Sequence, residues 1–392
     1  MKRIQMNRRQ NTNRRGMQRR KGAAIILAVF LLGVLVSMLA LAIDIGYIAA
    51  SKAEARRTTD ASALAGCWQI YESISKNVDE STLSDDVEEV VSDLATLNKV
   101  CNGSPSFSNC GQDADIRLGY LASLDENAPL ESSSSNPYRA IRVRLRKTEA
   151  LNGRVPLFFA RVFGQTGRNM TVESTAAMAS QIKGFGTPSS GSGNIDLLPF
   201  AIDVDTWDAM LAGGGTDSYR FDASRYEVLP GSDGVREVNL YPQGTGSPGN
   251  RGTVDIGGSN NSTADIARQI LYGISAADMT NLGKPLSLGG TGTMTLNGDT
   301  GISAGVKDEL ASIIGKTRII PVFSSVSGNG NNAMYTIVRW VGVRILDVKL
   351  TGSMSSKYLR IQPATVVARN IIPGDSTRSW SNSIYSPVVL VK

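Results

Sequence analysis

Between Gly22 and Ala42 the chain reads GAAIILAVFLLGVLVSMLALA, 21 residues without a charge. At about 1.5 Å of rise per residue such a helix is about 31 Å long, matching a hydrocarbon core of about 30 Å. A helix buried in a soluble domain does not need an uncharged run of this length. Ala40-Leu41-Ala42 has the small-x-small form of a leader cleavage site, but the run exceeds the roughly 7–15 apolar residues of a signal peptide. The expectation is a retained transmembrane helix at residues 22–42.

Charge orients it. Residues 1–21 carry nine cations and no acid, with Arg19, Arg20 and Lys21 flanking the span. The whole chain is +6, so the remaining 371 residues hold only −3. Positive segments stay in the cytoplasm. Residues 1–21 therefore read as a basic cytoplasmic tail and residues 43–392 as extracytoplasmic, in a single-pass protein of the cytoplasmic (inner) membrane. The tail also attracts anionic membrane lipid, by about 1 kcal/mol per basic residue near the surface. No nucleic acid is needed to explain it. The chain has no histidine, which removes the commonest general acid–base, the usual zinc ligand and every Ser-His-Asp or Cys-His arrangement. A non-enzymatic protein without cofactor or metal is expected.

From Ile43 the helix-forming residues continue. Ala recurs at 49, 50, 53, 55, 61, 63 and 65, and no Gly or Pro interrupts from Tyr47 to Ala65. Arg56 and Asp60 stand four apart, Arg57 and Asp60 three apart, on one helix face. A continuous helix from about Gly22 to Tyr71 follows, half in lipid and half in water. Its small residues permit close helix packing, either on partner helices, a homo-oligomer through the stalk included, or on the chain's own domain.

The segment KGAAIILAVFLLGVLVSMLALAIDIGYIAASKAEARRTTDASALAG resembles the N-terminus of the TadG-like and TadE-like proteins of Tad (Flp) pilus assembly. The residues carrying the resemblance are Gly22, Ala42, Asp44, Gly46, Asp60, Ala61, Ser62, Ala63, Leu64 and Ala65. The later VPLFFARVFGQTGRNMTVESTAAMA at 155–179 supports it. The resemblance implies a membrane protein whose partners are other pilus-assembly or envelope proteins. Two family features are missing. The Gly followed five residues later by Glu, used by pilins in processing and filament packing, finds Leu27 here. The D-x-S-x-S metal site of von Willebrand A domains fails at both Asp60-Ala-Ser62 and Asp222-Ala-Ser224. The resemblance then implies an assembly factor that stays in the membrane.

In the first outer unit, residues 81–100 have Leu83, Val87, Val90, Val91, Leu94 and Leu97 near helical spacing, with Ser84 as a start signal. Cys101 and Cys110 bracket a short loop, and in an exported domain they are expected to form a disulfide. Cys67 is left over, as a free thiol or as a partner for either. AIRVRLRK (140–147) alternates as a half-buried strand with Arg142, Arg144 and Arg146 on its solvated face. Val155-Pro156-Leu157 opens a predicted amphipathic helix, and Met170, Val172, Ser174, Ala176 and Met178 alternate as another strand. Residues 43–182 then form a stalk helix plus an antiparallel-sheet domain, an α+β, pilin-like arrangement.

A Gly/Ser linker is expected at 183–194 and a mostly β outer domain with a few helices at 195–392. Helices are expected at 263–273, capped by Thr263, and at 303–314. Strands are expected at 317–325, 333–349 and 357–367, with a hairpin turn at Gly328–Asn332 and the terminal SPVVLV. The inward phase shifts near Ile345, as at a β-bulge. Gly244-x-Gly246-x-x-Gly249 lacks the strand-then-helix context of a phosphate loop, and Gly315-Lys-Thr317 lacks its first glycine, since Leu310 stands there. Asp203, Asp205 and Asp208 around Trp207 read as the polar face of a short helix. The alternative to an assembly role is a membrane-anchored surface adhesin that binds through residues 195–392.

Overall fold

The computed structural model describes residues 19–76, 78–108, 114–125, 128–132, 138–240, 251–257, 262–299, 302–328, 330–374 and 381–391. The uncharged run and the stalk form one helix, α1 (Arg19–Ser75), of 57 residues. At about 1.5 Å per residue it is about 86 Å long. Helix α2 (Glu80–Leu97) packs back along its outer half. It starts four residues before Ser84, after Asp79. Its inward face is Leu83, Val87, Val91 and Ala95; Leu97, expected inside, is exposed.

Both helices lie on a sheet of β1 (Ile116–Gly119), β2 (Ala140–Lys147) and β5 (Met170–Ala177), with β3 (Val155–Pro156) and β4 (Gly167–Arg168) forming a separate small hairpin. Ile141, Val143 and Leu145 of β2 point into the core, as the alternation requires. The expected helix after Val155 is absent. Pro156 lies in an extended pair with Gly167, and only a short 3-10 turn, Ala160–Phe163, follows. The arginine stripe is also not simply solvated. Arg144 and Arg146 reach the fully buried carboxylate of Asp115 at 3.2 and 2.6 Å, and Arg142 donates to Thr175 at 3.1 Å.

Strand β6 (Ile182–Phe185) occupies the start of the expected linker. Phe185 is fully buried, and a Cβ on Gly184 would lie 2.1 Å from the Leu286 carbonyl oxygen, so only glycine fits this approach. The Gly/Ser-rich connection therefore begins after Phe185. Next come β7 (Phe200–Asp203), α3 (Val204–Leu211), the hairpin β8 (Tyr219–Asp222) and β9 (Glu227–Pro230), β10 (Val238–Asn239) and β11 (Arg251–Val254). Helix α4 (Thr263–Tyr272) is capped by Ser262, one residue before the expected Thr263, because the Ser262 hydroxyl accepts from the Asp265 amide. Helix α5 (Ala276–Leu282), β12 (Leu286–Ser287) and β13 (Met294–Asp299) follow. The helix expected at 303–314 is a 3-10 turn at Ala304–Val306 and a five-residue α6 (Lys307–Ala311).

The long hairpin β14 (Thr317–Ser327) and β15 (Ala333–Lys349) organises the outer unit. Pairings run β15–β13–β11–β7–β14 and back to β15, closing a ring of strands. Strand β16 (Tyr358–Pro363) extends the sheet from the far half of β15. Its register shifts between Ile345 and Asp347, the bulge that the hydrophobic phase implied. Phe200, Ala201 and Ile202 alternate between two cores. One contains Trp340, Phe185 and Tyr335; the other packs the sheet on Trp207, Ile266, Ile270 and Leu310 of the helices.

The short strands β17 (Val366–Val367), β18 (Ile371–Pro373), β19 (Ser381–Asn382) and β20 (Ile384–Tyr385) lead to β21 (Val389–Val391). This last strand leaves the outer unit and pairs antiparallel with β5. The sheet packed on α1 thus has the order β1-β2-β5-β21. Division at residues 183–194 remains a proposal, and it has to accommodate a strand that crosses it.

Candidate assembly interface at the membrane junction

Helix α1 changes character at Asp44. On the near side, every large apolar residue from Ile25 to Leu41 is exposed. On the far side, Ser51, Ala55, Thr58, Thr59, Ser62, Ala63, Gly66, Cys67 and Ile70 are buried at helical spacing against β2, β5 and α2. A Cβ on Gly66 would sit 2.6 Å from Ile141 and 2.8 Å from Val91, whereas one on Gly46 would meet nothing within 4 Å. The small residues of the stalk from Ala55 outward are thus used within the chain. Those nearest the span, Gly46, Ala49, Ala50 and Ala53, remain exposed.

Asp44 itself is buried, with 3 % of its surface exposed. Its carboxylate accepts from the backbone amides of Phe158, Phe159 and Ala160 at 2.8, 3.1 and 2.7 Å. Burial pushes its pKa upward, but the three amides and the nearby Arg161 outweigh this and hold the carboxyl below its ordinary value. One helix residue is therefore tied to a loop 114 positions later. Phe158 also stacks edge-on against Tyr47, with ring centroids 5.0 Å apart.

Asp60 makes the second tie. It accepts from Ser174 at 2.5 Å and pairs with Arg56 at 3.1 Å. Arg56 donates onward to the Glu173 carbonyl oxygen, and Thr59 shares a 2.6 Å hydrogen bond with Ser174. The Arg56–Asp60 pair expected from spacing is present and fixes α1 to β5. Leu64 packs against the core of this unit. Ala61 and Ala65 are half-buried beside it. Arg19, Arg20, Lys21 and Gly22 fall in helical backbone, with side chains outside the described residues.

Cys101 Sγ lies 3.1 Å from the Ser51 hydroxyl, and the Cys101 amide donates to Glu54. Cys110 lies outside the described residues, so the disulfide stands as a proposal. Cys67 is free and fully buried, and burial pushes its thiol up to about 12. The Gly244–Gly249 segment lies outside the described residues too. Asp203 caps α3 by accepting from Thr206, and Asp208 pairs with Arg339 at 2.6 Å, so these acids do not converge. Among the described residues there is no cluster of three or more Cys, Asp or Glu able to hold a metal. A cleft of about 680 Å³ lies where the end of α1 meets the outer unit. Ile74, Leu211, Phe221, Arg344 and Gln362 line it.

Sequence reasoning found Asp44 and Asp60 but not what they hold. It missed Gly66, Asp115 and Ser174. Asp115 had a usable signal, an acid immediately before a short apolar strand, with three arginines on one face of another strand.

Comparison with protein families gives two matches. Residues 22–69 match Tad, described as "Putative Flp pilus-assembly TadE/G-like". Residues 51–176 match Tad_C, described as "Putative Tad-like Flp pilus-assembly". No curated protein and no solved structure matches the chain. The matches cover α1, α2 and the sheet nearly to the end of β5. They include both aspartate ties.

Proposed function

We propose, from the premise that the N-terminal region and the domain after it belong to the Tad pilus-assembly type, that this protein is a non-enzymatic, membrane-anchored assembly factor of a Tad/Flp pilus or secretion apparatus. Its anchor is the apolar half of α1, a helix long and apolar enough to cross a membrane. The nine cations before it put the tail in the cytoplasm and the two outer units outside. The observation that carries the reading is the split of α1 at Asp44. The outer half is committed to its own domain, and the inner half with its neighbours Gly46, Ala49, Ala50 and Ala53 is left open. A rigid rod built this way offers lipid and partner helices one face, in and just above the membrane, and holds the outer units at fixed height. Partner pilus or envelope proteins, or a second copy, would pack there. The work is positioning, with no bond made or broken.

In-frame deletion in the source organism is expected to abolish or strongly reduce surface pili and adherence, restored by the wild-type gene on a plasmid. Normal piliation in the deletion strain would sink the proposal. The cleft beside Arg344 and Gln362 supports the second reading, a surface adhesin. Binding of an envelope ligand by the full chain, lost on substitution of cleft residues and accompanied by normal pili, would favour it.

A further inference from the structure

Among the described residues outside the span, the loop that Asp44 holds carries the two most exposed large apolar side chains, Val162 and Phe163. Phe158 is 52 % exposed, Phe159 43 %, Val162 84 % and Phe163 83 %. Four such residues within six positions form an apolar patch that water disfavours. Tyr47 covers one side of Phe158, and among the described residues none covers Val162 or Phe163. The position of the patch says what does. Asp44 is two residues past Ala42, so about 3 Å above the end of the uncharged run. It is the first buried residue met on leaving the span, and the amides of 158–160 are bonded to it. The turn between β3 and β4 thus meets α1 at the first buried residue beyond the span. On either side of Asp44 in α1, Ile43 and Ile45 are also exposed, at 45 % and 56 %.

Charge points the same way. From Ala150 to Val172 the sequence has Arg154, Arg161 and Arg168 and no acid. Arg154 is 3.6 Å from Glu149, while Arg161 and Arg168 are exposed beside the apolar tip. Aromatic side chains with flanking arginines are the composition of an element lying in the headgroup region of an anionic bilayer.

We propose that residues 157–163 are a second membrane contact. The turn dips into the outer-facing headgroup and upper acyl region of an anionic phospholipid bilayer, with Phe158, Phe159, Val162 and Phe163 in contact with lipid and Arg161 and Arg168 on phosphates. Asp44 latches this foot to the span. The foot and the span together resist tilting of the outer units, which a lone helix would allow. This inference rests on the reading that α1 spans the membrane.

The test places p-benzoylphenylalanine singly at positions 30, 163 and 68 of the full chain, reconstituted in vesicles of phosphatidylethanolamine and phosphatidylglycerol. Phe30 lies in the span. Trp68, itself 45 % exposed, is about 39 Å above Ala42 on the same helix. Irradiation is expected to give phospholipid adducts, read by mass, at 30 and 163 and none at 68. Adducts at 30 alone would overturn the foot and leave the anchor standing. Absence at both 30 and 163 would overturn both. A protein cross-link at 163 in place of lipid would turn the patch into a protein contact and overturn the proposal. Vesicles of phosphatidylcholine alone are expected to lower the yield at 163 and leave it unchanged at 30. An unchanged yield at 163 would overturn the role given to the arginines.

Discussion

Residues 24–43 and 44–75 of α1 are one unbroken helix with two different surfaces. In the first stretch the apolar side chains face outward all round, and in the second the small and apolar side chains face a core on one side only. The same residue types mean different things on either side of Asp44. An exposed Leu in the span is at home in lipid, and an Ala in the stalk is where a strand passes close. Small residues on a helix near a membrane are therefore not by themselves a partner surface. Whether the chain's own sheet already occupies them decides it, and from Ala55 outward it does.

The sharpest way to break this contrast is to enlarge a glycine on each side of the split. Gly66→Leu pushes into Ile141 and Val91, and overpacking of this kind costs about 2–3 kcal/mol. Gly46→Leu meets open space and is expected to leave stability unchanged or slightly raised through helix propensity. Thermal unfolding of the detergent-solubilised chain compares them; equal losses would mean that the outer half is not committed to its own domain.

Acid should act on the outer half alone. Burial would raise the Asp115 carboxyl, but Arg146, the Ser108 amide and Arg144 outweigh it and hold it below the ordinary value. A carboxyl with a lower pKa in the folded than in the unfolded state stabilises fully above about pH 4. That contribution is lost as pH falls through the folded value. Asp44 has the same sign. The unfolding midpoint should be flat from neutral to mildly acidic pH and fall below about pH 4. Asp115→Asn should lower it at neutral pH and flatten the acid limb.

The smallest effect is chemical. Cys67, buried with a thiol pushed up to about 12, should resist alkylation until the domain unfolds, while half-exposed Cys101 should react in the native state. If Cys101 reacts only after reduction, the expected bridge to Cys110 is present. Rapid native labelling of Cys67 would contradict the packing of the stalk.

Much of this was readable from local pattern. The span, its continuation, the alternation of β2 and the bulge near Ile345 all follow from residue period and charge. The loop at 157–163 was misread because its apolar residues mimic a helix face seeking a core. They instead remain outside, and Pro156 is extended against Gly167. Arg144 and Arg146 looked solvated because their partner, Asp115, comes from a different strand connection. Asp44 and Asp60 were identifiable as residues, but their partners lie 114 positions away. No local period encodes a pairing at that distance.

Strand β21 sets a timetable for folding. It closes the free edge of β5, and near it Ser386 bonds Ala179 across 207 positions of sequence. During synthesis, the sheet packed on α1 waits with an open edge until the chain through β21 has been made. Such a long-range closure is slow, and an unpaired edge invites pairing with other chains. A ribosome stall or a proteolytic nick late in the chain would therefore be felt first in the sheet beside α1, far in sequence from where the damage occurred.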